Sequence, residues 1–588
     1  MGAHNYDWGV VNKGGESPEA LGPLQTRRVH LLVAGTAVLV AFVAIALVSY
    51  RQSGPTVHPD EWGFLTNGQI LIGHSEATMP TTSFYTAGYG IVTGLGAVLT
   101  GSIQGAYRFS LMVNLVLAMA TAWTAVRIGR KIFGLSVGSA RLAGLLVLVL
   151  PGTLLSSVMA WPEVAARLAF LVLVAVVHRA VSRADAVSVC AMAAFTGLLP
   201  ALHGRFTLVL GVVGLSIAWL WRRRIISFGL TVQSGCILVA GYAVSYLLNR
   251  HIKGILYTES YDQENRLLRR LTKPRLWPAL LRMTVGQSWY LVATTAGLFG
   301  IGIAFAVHRA LGLRRRRREG VAVDPVSVTL AVVLVSVLAV VFTGSLQLMG
   351  FNRGDHLIYG RYVELTVPAI VLASIVALDQ MPAFARRVWM WCTLAIPAVA
   401  LVYVAVDGND GIAKAWKVRN VVFPNIVGTD AARYVVPVGF VWFAVLFFVV
   451  AGVLWLVSGY RRELSVLVAV VLLSVGLVVS ADKSIAHRTR FLDAVKTTPA
   501  LLSQDGATEV GFDSSLANDP AYYFLRYRIH PVRLRYVRAT SAGEEIPDSL
   551  SCMYEPVGVK PTTGEWEVIA EEPAVSRVLW RRVGADRC

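Results

Sequence analysis

The sequence predicts a polytopic α-helical membrane protein of about thirteen transmembrane helices, followed by a C-terminal extracytoplasmic α/β or α+β domain. Three observations predict it. The 588 residues are 55% hydrophobic and only 15% charged, with a mean hydropathy of +0.59, a balance no soluble chain of this length keeps. Apolar runs of roughly 17–25 residues recur along most of the length, each enough to cross a hydrocarbon core about 30 Å thick. The net charge of +19 is also unevenly placed. From Lys483 onward 14 basic residues meet 14 acidic ones, so the excess lies earlier, mostly in short loops between apolar runs. Such loops mark the cytoplasmic side of a membrane protein and argue against a nucleic-acid partner.

The expected spans lie near 29–50, 107–127, 141–160, 162–178, 186–203, 206–221, 226–248, 286–308, 326–349, 362–379, 388–406, 436–457 and 463–480. The first follows Arg27-Arg28, is too long for a signal-peptide core and shows no small-residue cleavage site, so it is expected to stay as an anchor. Phe84–Ile103 is a weaker run, rich in Gly, Thr and Ser. Without it, and with the N-terminus inside, Arg127/Arg130/Lys131/Arg141, Arg179/Arg183, Arg222–Arg224, Arg314–Arg318, Arg386/Arg387 and Arg461/Arg462 all become cytoplasmic. Counting it would turn every cluster outward, at about 1 kcal/mol per basic residue near an anionic leaflet. Phe84–Ile103 is therefore read as a re-entrant or interfacial helix. The domains follow: a cytoplasmic tail over 1–28, a membrane domain over 29–482 with a catalytic outer loop at 51–106, and a soluble domain over 483–588. Short strands are expected at Glu509–Phe512, Val532–Val537, Glu567–Ile569 and Val578–Trp580. Of five cysteines, Cys190, Cys236 and Cys392 lie in apolar spans, while Cys552 and Cys588 could pair in an oxidising compartment.

This threading gathers the unusual polar residues on the outer face. His58-Pro59-Asp60-Glu61-Trp62 sets two acids just outside the first span, with no Lys beside them. Asp-Glu can cap a surface helix, but at a bilayer surface it is also suited to acid–base chemistry. Glu163 follows Trp161-Pro162 at the outer end of a span; it either pairs with Arg167 one turn on or faces a functional cavity. Arg205, in His203-Gly204-Arg205, suits a phosphate or snorkels to the interface. The stretch Arg353–Tyr362 crowds Asp355, His356, Tyr359, Arg361 and Tyr362 into one short outer turn. The loop Tyr257–Arg282 carries six basic residues against the orientation trend, fitting an anionic ligand or a solvated amphipathic helix equally well.

No nucleotide-phosphate loop, zinc spacing or Ser-His-Asp order is evident, and an outer-face enzyme has no access to nucleotide sugars. His58-Pro59-Asp60-Glu61, Phe84-Tyr85-Thr86-Ala87-Gly88-Tyr89 leading to Tyr107-Arg108, Gly129-Arg130-Lys131-Ile132-Phe133-Gly134 and Trp161-Pro162-Glu163 occur in this order over residues 30–225. In this the chain resembles the GT-C class of integral-membrane glycosyltransferases, in particular protein O-mannosyltransferases and lipid A aminoarabinose transferases. The resemblance implies an inverting glycosyltransferase of the plasma membrane, moving a sugar from a polyprenyl-phosphate donor to an envelope glycan, lipid or protein acceptor. It makes Asp60 the catalytic base, with Glu61 and Glu163 beside it. Arg205, Arg361 and His356 would hold the donor phosphate, and His58, Trp62, Tyr359 and Asp355 would contact donor or acceptor. Relatives often carry a Lys where this chain has Thr81-Thr82, so phosphate binding falls to arginines. Some relatives use a divalent metal, for which Asp60, Glu61 and Glu163 could supply oxygens, although nothing in the sequence requires one. The competing readings are a transporter or flippase for lipid-linked saccharides and a non-catalytic envelope-assembly partner.

Overall fold

The structure, a computed structural model, describes residues 23–56, 59–74, 84–256, 269–318, 322–349, 358–380, 462–513, 520–537 and 546–588, with isolated positions between them, His356 included. Its principal helices are α1 (Pro23–Arg51), α2 (Asp60–Leu71), α3 (Gly90–Thr100), α4 (Ile103–Lys131), α5 (Val137–Leu148), α6 (Glu163–Arg183), α7 (Ala186–Leu202), α8 (Phe206–Arg222), α9 (Phe228–Leu256), α10 (Trp277–Ala293), α11 (Leu298–Arg318), α12 (Pro325–Leu348), α13 (Val367–Gln380), α14 (Arg462–Ser480), α15 (Thr497–Gln504) and α16 (Pro520–Ile529). Several begin where a short polar side chain satisfies a free N–H of the first turn. Ser102 accepts from the Gly105 N–H, Asp185 from Ser188 and Asp324 from Ser327, at 3.0, 2.7 and 3.0 Å.

Among the described residues six helices are long and apolar enough to cross a membrane, and two bent pairs would make eight. The expected spans 388–406 and 436–457 lie almost wholly outside the described residues. Three expectations change. The run 286–308 is not one span: α10 stops, Ala296 and Gly297 take left-handed φ of 49° and 82°, and the two helical segments bend by 108°. The run 141–160 breaks before Pro151, which cannot donate to the helix ladder, and turns by 59°. The run 362–379 is helical only from Val367; Gly360–Tyr362 and Glu364–Thr366 are 3₁₀ turns.

Phe84–Ile103 forms a 3₁₀ turn and then α3, whose 11 residues reach roughly 16 Å, too short to span. Ile91, Leu95, Val98 and Leu99 stay exposed on α3, while Thr93 packs on α2 and donates to the Phe64 carbonyl at 2.9 Å.

The C-terminal part builds a five-stranded mixed sheet, β1 (Glu509–Asp513), β2 (Arg533–Val537), β3 (Cys552–Pro556), β4 (Trp566–Glu572) and β5 (Arg577–Arg582), in the order β2-β1-β3-β5-β4. All four expected strands are present, and β3 is the addition. β1 runs parallel to β2 and β3, whereas β5 is antiparallel to β3 and β4. Cys552 and Cys588 form a disulfide. This sheet domain rests on the first turns of α4 through α16: the Tyr527 ring lies 5.6 Å from that of Tyr107, and Gln104 Nε2 donates to the Tyr527 carbonyl at 3.0 Å.

Candidate active site

Asp60 opens α2, in the first turn, where a carboxylate is favoured by the helix dipole. Its Oδ1 accepts the Tyr85 hydroxyl at 2.8 Å and its Oδ2 accepts from Arg361 Nη1. Tyr85 is held there because Asn67, two turns along α2, donates to the Tyr85 and Thr86 carbonyls at 3.0 Å each. Glu163 opens α6, and its Oε1 accepts Arg361 Nε at 2.5 Å. One guanidinium thus joins carboxylates 301 and 198 residues distant in the chain. The guanidinium carbon lies over the Trp161 ring, 4.3 Å from the centroid, a cation–π contact that adds to the two-acid bridge. Asp60 keeps 20% side-chain exposure and Arg361 11%, against 4% for Glu163, so the arginine-bridged acids open to solvent on the Asp60 side. The Glu163 Oε2 is buried without a hydrogen-bond partner.

Beneath this pair lies a second one. Glu163 does not pair with Arg167; instead Arg167 Nη2 donates to Glu364 Oε2 at 2.7 Å, and the Tyr290 hydroxyl donates to Glu364 Oε1. Two residues four apart on α6 therefore bind two residues three apart in the 360–366 segment, fixing its register against the helix. Gly360 is required by the same packing, since a Cβ there would fall 1.9 Å from the Tyr290 ring.

The other expected residues fall into three groups. Arg205 stacks on Tyr362 with 3.6 Å between guanidinium carbon and ring centroid, and its Nη1 lies 3.2 Å from His203 Nε2. Tyr362 meets Tyr359 at 4.3 Å between centroids, and Tyr359 meets His356 at 5.9 Å, so Arg205, Arg361 and His356 border one aromatic cluster. Glu61 and Trp62 face elsewhere. Glu61 is fully buried and accepts the Thr56 and Ala160 main-chain N–H groups at 2.7 Å each, tying α2 to the chain before α6. That is a positioning role, and it departs from the expected catalytic one. Trp62 is buried under Arg526 of α16, 5.1 Å from guanidinium to ring, where the sheet domain docks. His58 and Asp355 lie outside the described residues. In the basic loop, Arg270 Nη1 donates to the Leu346 and Gln347 carbonyls at 3.2 and 2.5 Å, capping the C-terminus of α12. Sequence reasoning missed Glu364 and Tyr290, which sit within apolar runs, and gave Tyr85 no role although its motif was noted.

A divalent cation does not fit these donors as they stand. Both Glu61 oxygens are taken by N–H groups, and a guanidinium joins Asp60 to Glu163.

No protein family and no curated protein matches the sequence. Solved structures do match. ArnT from Cupriavidus metallidurans, bound to undecaprenyl phosphate, superposes with a TM-score of 0.53 over 94% of this chain and 98% of its own, at 15% identity. The chain has the GT-C fold. The oligosaccharyltransferase of Archaeoglobus fulgidus is also similar, at a TM-score of 0.44 and 11% identity, over 86% of this chain and 64% of that one. On the GT-C scaffold of this chain, the arginine-bridged acids at the starts of α2 and α6 are the candidate reaction centre.

Proposed function

We propose that the protein is an inverting glycosyltransferase that moves a sugar from a polyprenyl-phosphate donor to a cell-envelope acceptor on the outer face of the plasma membrane. The observation that carries this reading is the guanidinium shared by Asp60 and Glu163. The phosphodiester of the donor offers Arg361 two free anionic oxygens, a bidentate partner in place of Asp60, and gains a second charge as it departs. Arg205, stacked on the adjacent Tyr362, supplies a second cation to the same anion. Once Arg361 turns to the phosphate, Asp60 is left as an acceptor of protons, steadied by Tyr85. The acceptor hydroxyl then attacks the anomeric carbon as its proton passes to Asp60. A carbon–oxygen bond forms on one face while the bond to the phosphate oxygen breaks on the other, its electron pair leaving with polyprenyl phosphate. One displacement inverts the anomeric centre. A positioned base of this kind contributes about 10²–10⁴-fold, and the arginines stabilise the charge growing on the leaving oxygen.

Two measurements test the reading. Arg361→Ala is expected to weaken polyprenyl-phosphate binding by at least about tenfold, and Arg361→Lys to recover only part, because Lys lacks the planar fork. Equal binding by all three proteins in a titration with polyprenyl phosphate would overturn the role of Arg361. For sidedness, a Cys introduced at Arg316 is expected to resist a membrane-impermeant maleimide in intact cells, while one at Gly506 reacts. Labelling at position 316 would reverse the orientation and remove the outer-face reaction. A transporter of the same lipid would bind it yet release no glycosylated product.

A further inference from the structure

Where the sheet domain meets the short helices, a cleft of about 630 Å³ remains that the proposed reaction does not use. Trp62, Thr66 and Gln69 of α2 line one side, the end of α3 and the start of α4 another, and Arg526 of α16 and Arg533 of β2 a third. At about 100° per residue, the three α2 side chains sit roughly 180–240° around that helix from Asp60. The cleft is therefore separated from the candidate reaction centre by α2 itself. Among the described residues that line it, none is acidic. A guanidinium has five N–H donors, so a contact made elsewhere leaves donors over for a ligand. Trp62 is 1% exposed, and its indole N–H has no hydrogen-bond partner in the protein. A buried donor of this kind calls for an acceptor, and the cleft is the space that Trp62 borders.

Val98 indicates what reaches this space. It lines the cleft, is 64% exposed, and belongs with Ile91, Leu95 and Leu99 to one exposed apolar stripe along α3. A helix too short to span and apolar on its open side lies in the plane of a bilayer surface. The cleft thus joins a lipid-facing edge at Val98 to guanidinium groups at Arg526 and Arg533, which match the two halves of an anionic amphiphile.

We propose that this cleft holds the phosphate head group of an anionic membrane phospholipid whose acyl chains run along α3. The arginines donate charge-assisted hydrogen bonds to the phosphate, and Gln69 and the Trp62 indole offer further donors. The lipid is held and not transformed, so the site stands independently of the transferase reading. Its effect is to fasten α16 and β2 to the membrane edge at α3.

The test is native mass spectrometry of the delipidated full chain in neutral detergent, titrated with phosphatidylglycerol or phosphatidylcholine. One phosphatidylglycerol is expected to be retained at least about tenfold more tightly, the value of one charge-assisted hydrogen bond. Arg533→Gln and Val98→Glu both alter exposed positions, so both are expected to fold, and each should abolish most of that preference. Arg581→Gln, outside the cleft, should leave it unchanged, and so should Arg361→Ala, which is expected to lose polyprenyl phosphate. Equal retention of the two lipids by the wild type overturns the site, as does a preference that survives both Arg533→Gln and Val98→Glu. A loss in Arg581→Gln matching that in Arg533→Gln would reduce the effect to general surface charge. A loss in Arg361→Ala would move the lipid to the donor site. Displacement of phosphatidylglycerol by an equal concentration of inorganic phosphate would make the cleft a site for a free anion. Any of these three outcomes also overturns the proposal.

Discussion

Asp60→Asn is expected to leave a folded, donor-binding protein whose sugar transfer is slower by at least about 100-fold. Asn keeps the shape and can still accept a hydrogen bond from Arg361 through its carbonyl oxygen, while Glu163 retains the charged contact. What is lost is the ability to take a proton. The measurement is transfer of labelled sugar from a polyprenyl-phosphate donor by purified protein, alongside the elution profile and donor affinity. Transfer at the wild-type rate would remove Asp60 from the chemistry. A loss of donor affinity matching the loss of rate would instead make it a binding group.

The largest structural effect is expected at Glu364. Replacing it by Ala strands Arg167 and the Tyr290 hydroxyl in the protein interior, and removing one partner of a buried pair costs about 3–5 kcal/mol. Glu364→Gln should cost less, since it can still accept from one of its two partners. The double replacement Arg167→Met with Glu364→Leu should recover most of the loss, because two apolar side chains leave no charge unpaired. Thermal unfolding in detergent would order the variants as wild type, double, Gln and Ala. Because Glu364 and Arg361 share one docked segment, donor affinity should fall in the same order. A double variant as unstable as Glu364→Ala would mean that the segment is not held by this pair.

What could be read from residues alone follows from what local chemistry dictates. Long apolar runs announce helices whatever they pack against, and strands such as Arg533–Val537 announce themselves by alternation and β-branching. Asp60 and Glu163 stood out because an acid at a bilayer edge is costly. Arg361 stood out by the density of polar and aromatic side chains around it. Other features depend on partners far along the chain. Nothing near Glu364 distinguishes it from a stray acid at the start of an apolar run; only the fold brings Arg167 and Tyr290 to it. Glu61 resembles Asp60 in every local respect, yet α2 turns it by 100° onto two main-chain N–H groups. The bend at Ala296 and Gly297 was hidden because hydropathy continues smoothly across it. β3 was missed because it ends in Pro556 and carries the buried Glu555.

The guanidinium shared by Asp60 and Glu163 has a consequence for how the protein is made. Both acids are synthesised and inserted long before their arginine: 198 residues separate Glu163 from Arg361. At about 5–20 residues per second, that is a delay of roughly 10–40 s. During that interval the N-terminal helices carry both carboxylates without the guanidinium that later bridges them, and Arg167 likewise waits for Glu364. A nascent chain halted before position 361 would be a natural substrate for membrane quality control, and the arrival of one arginine would end its eligibility.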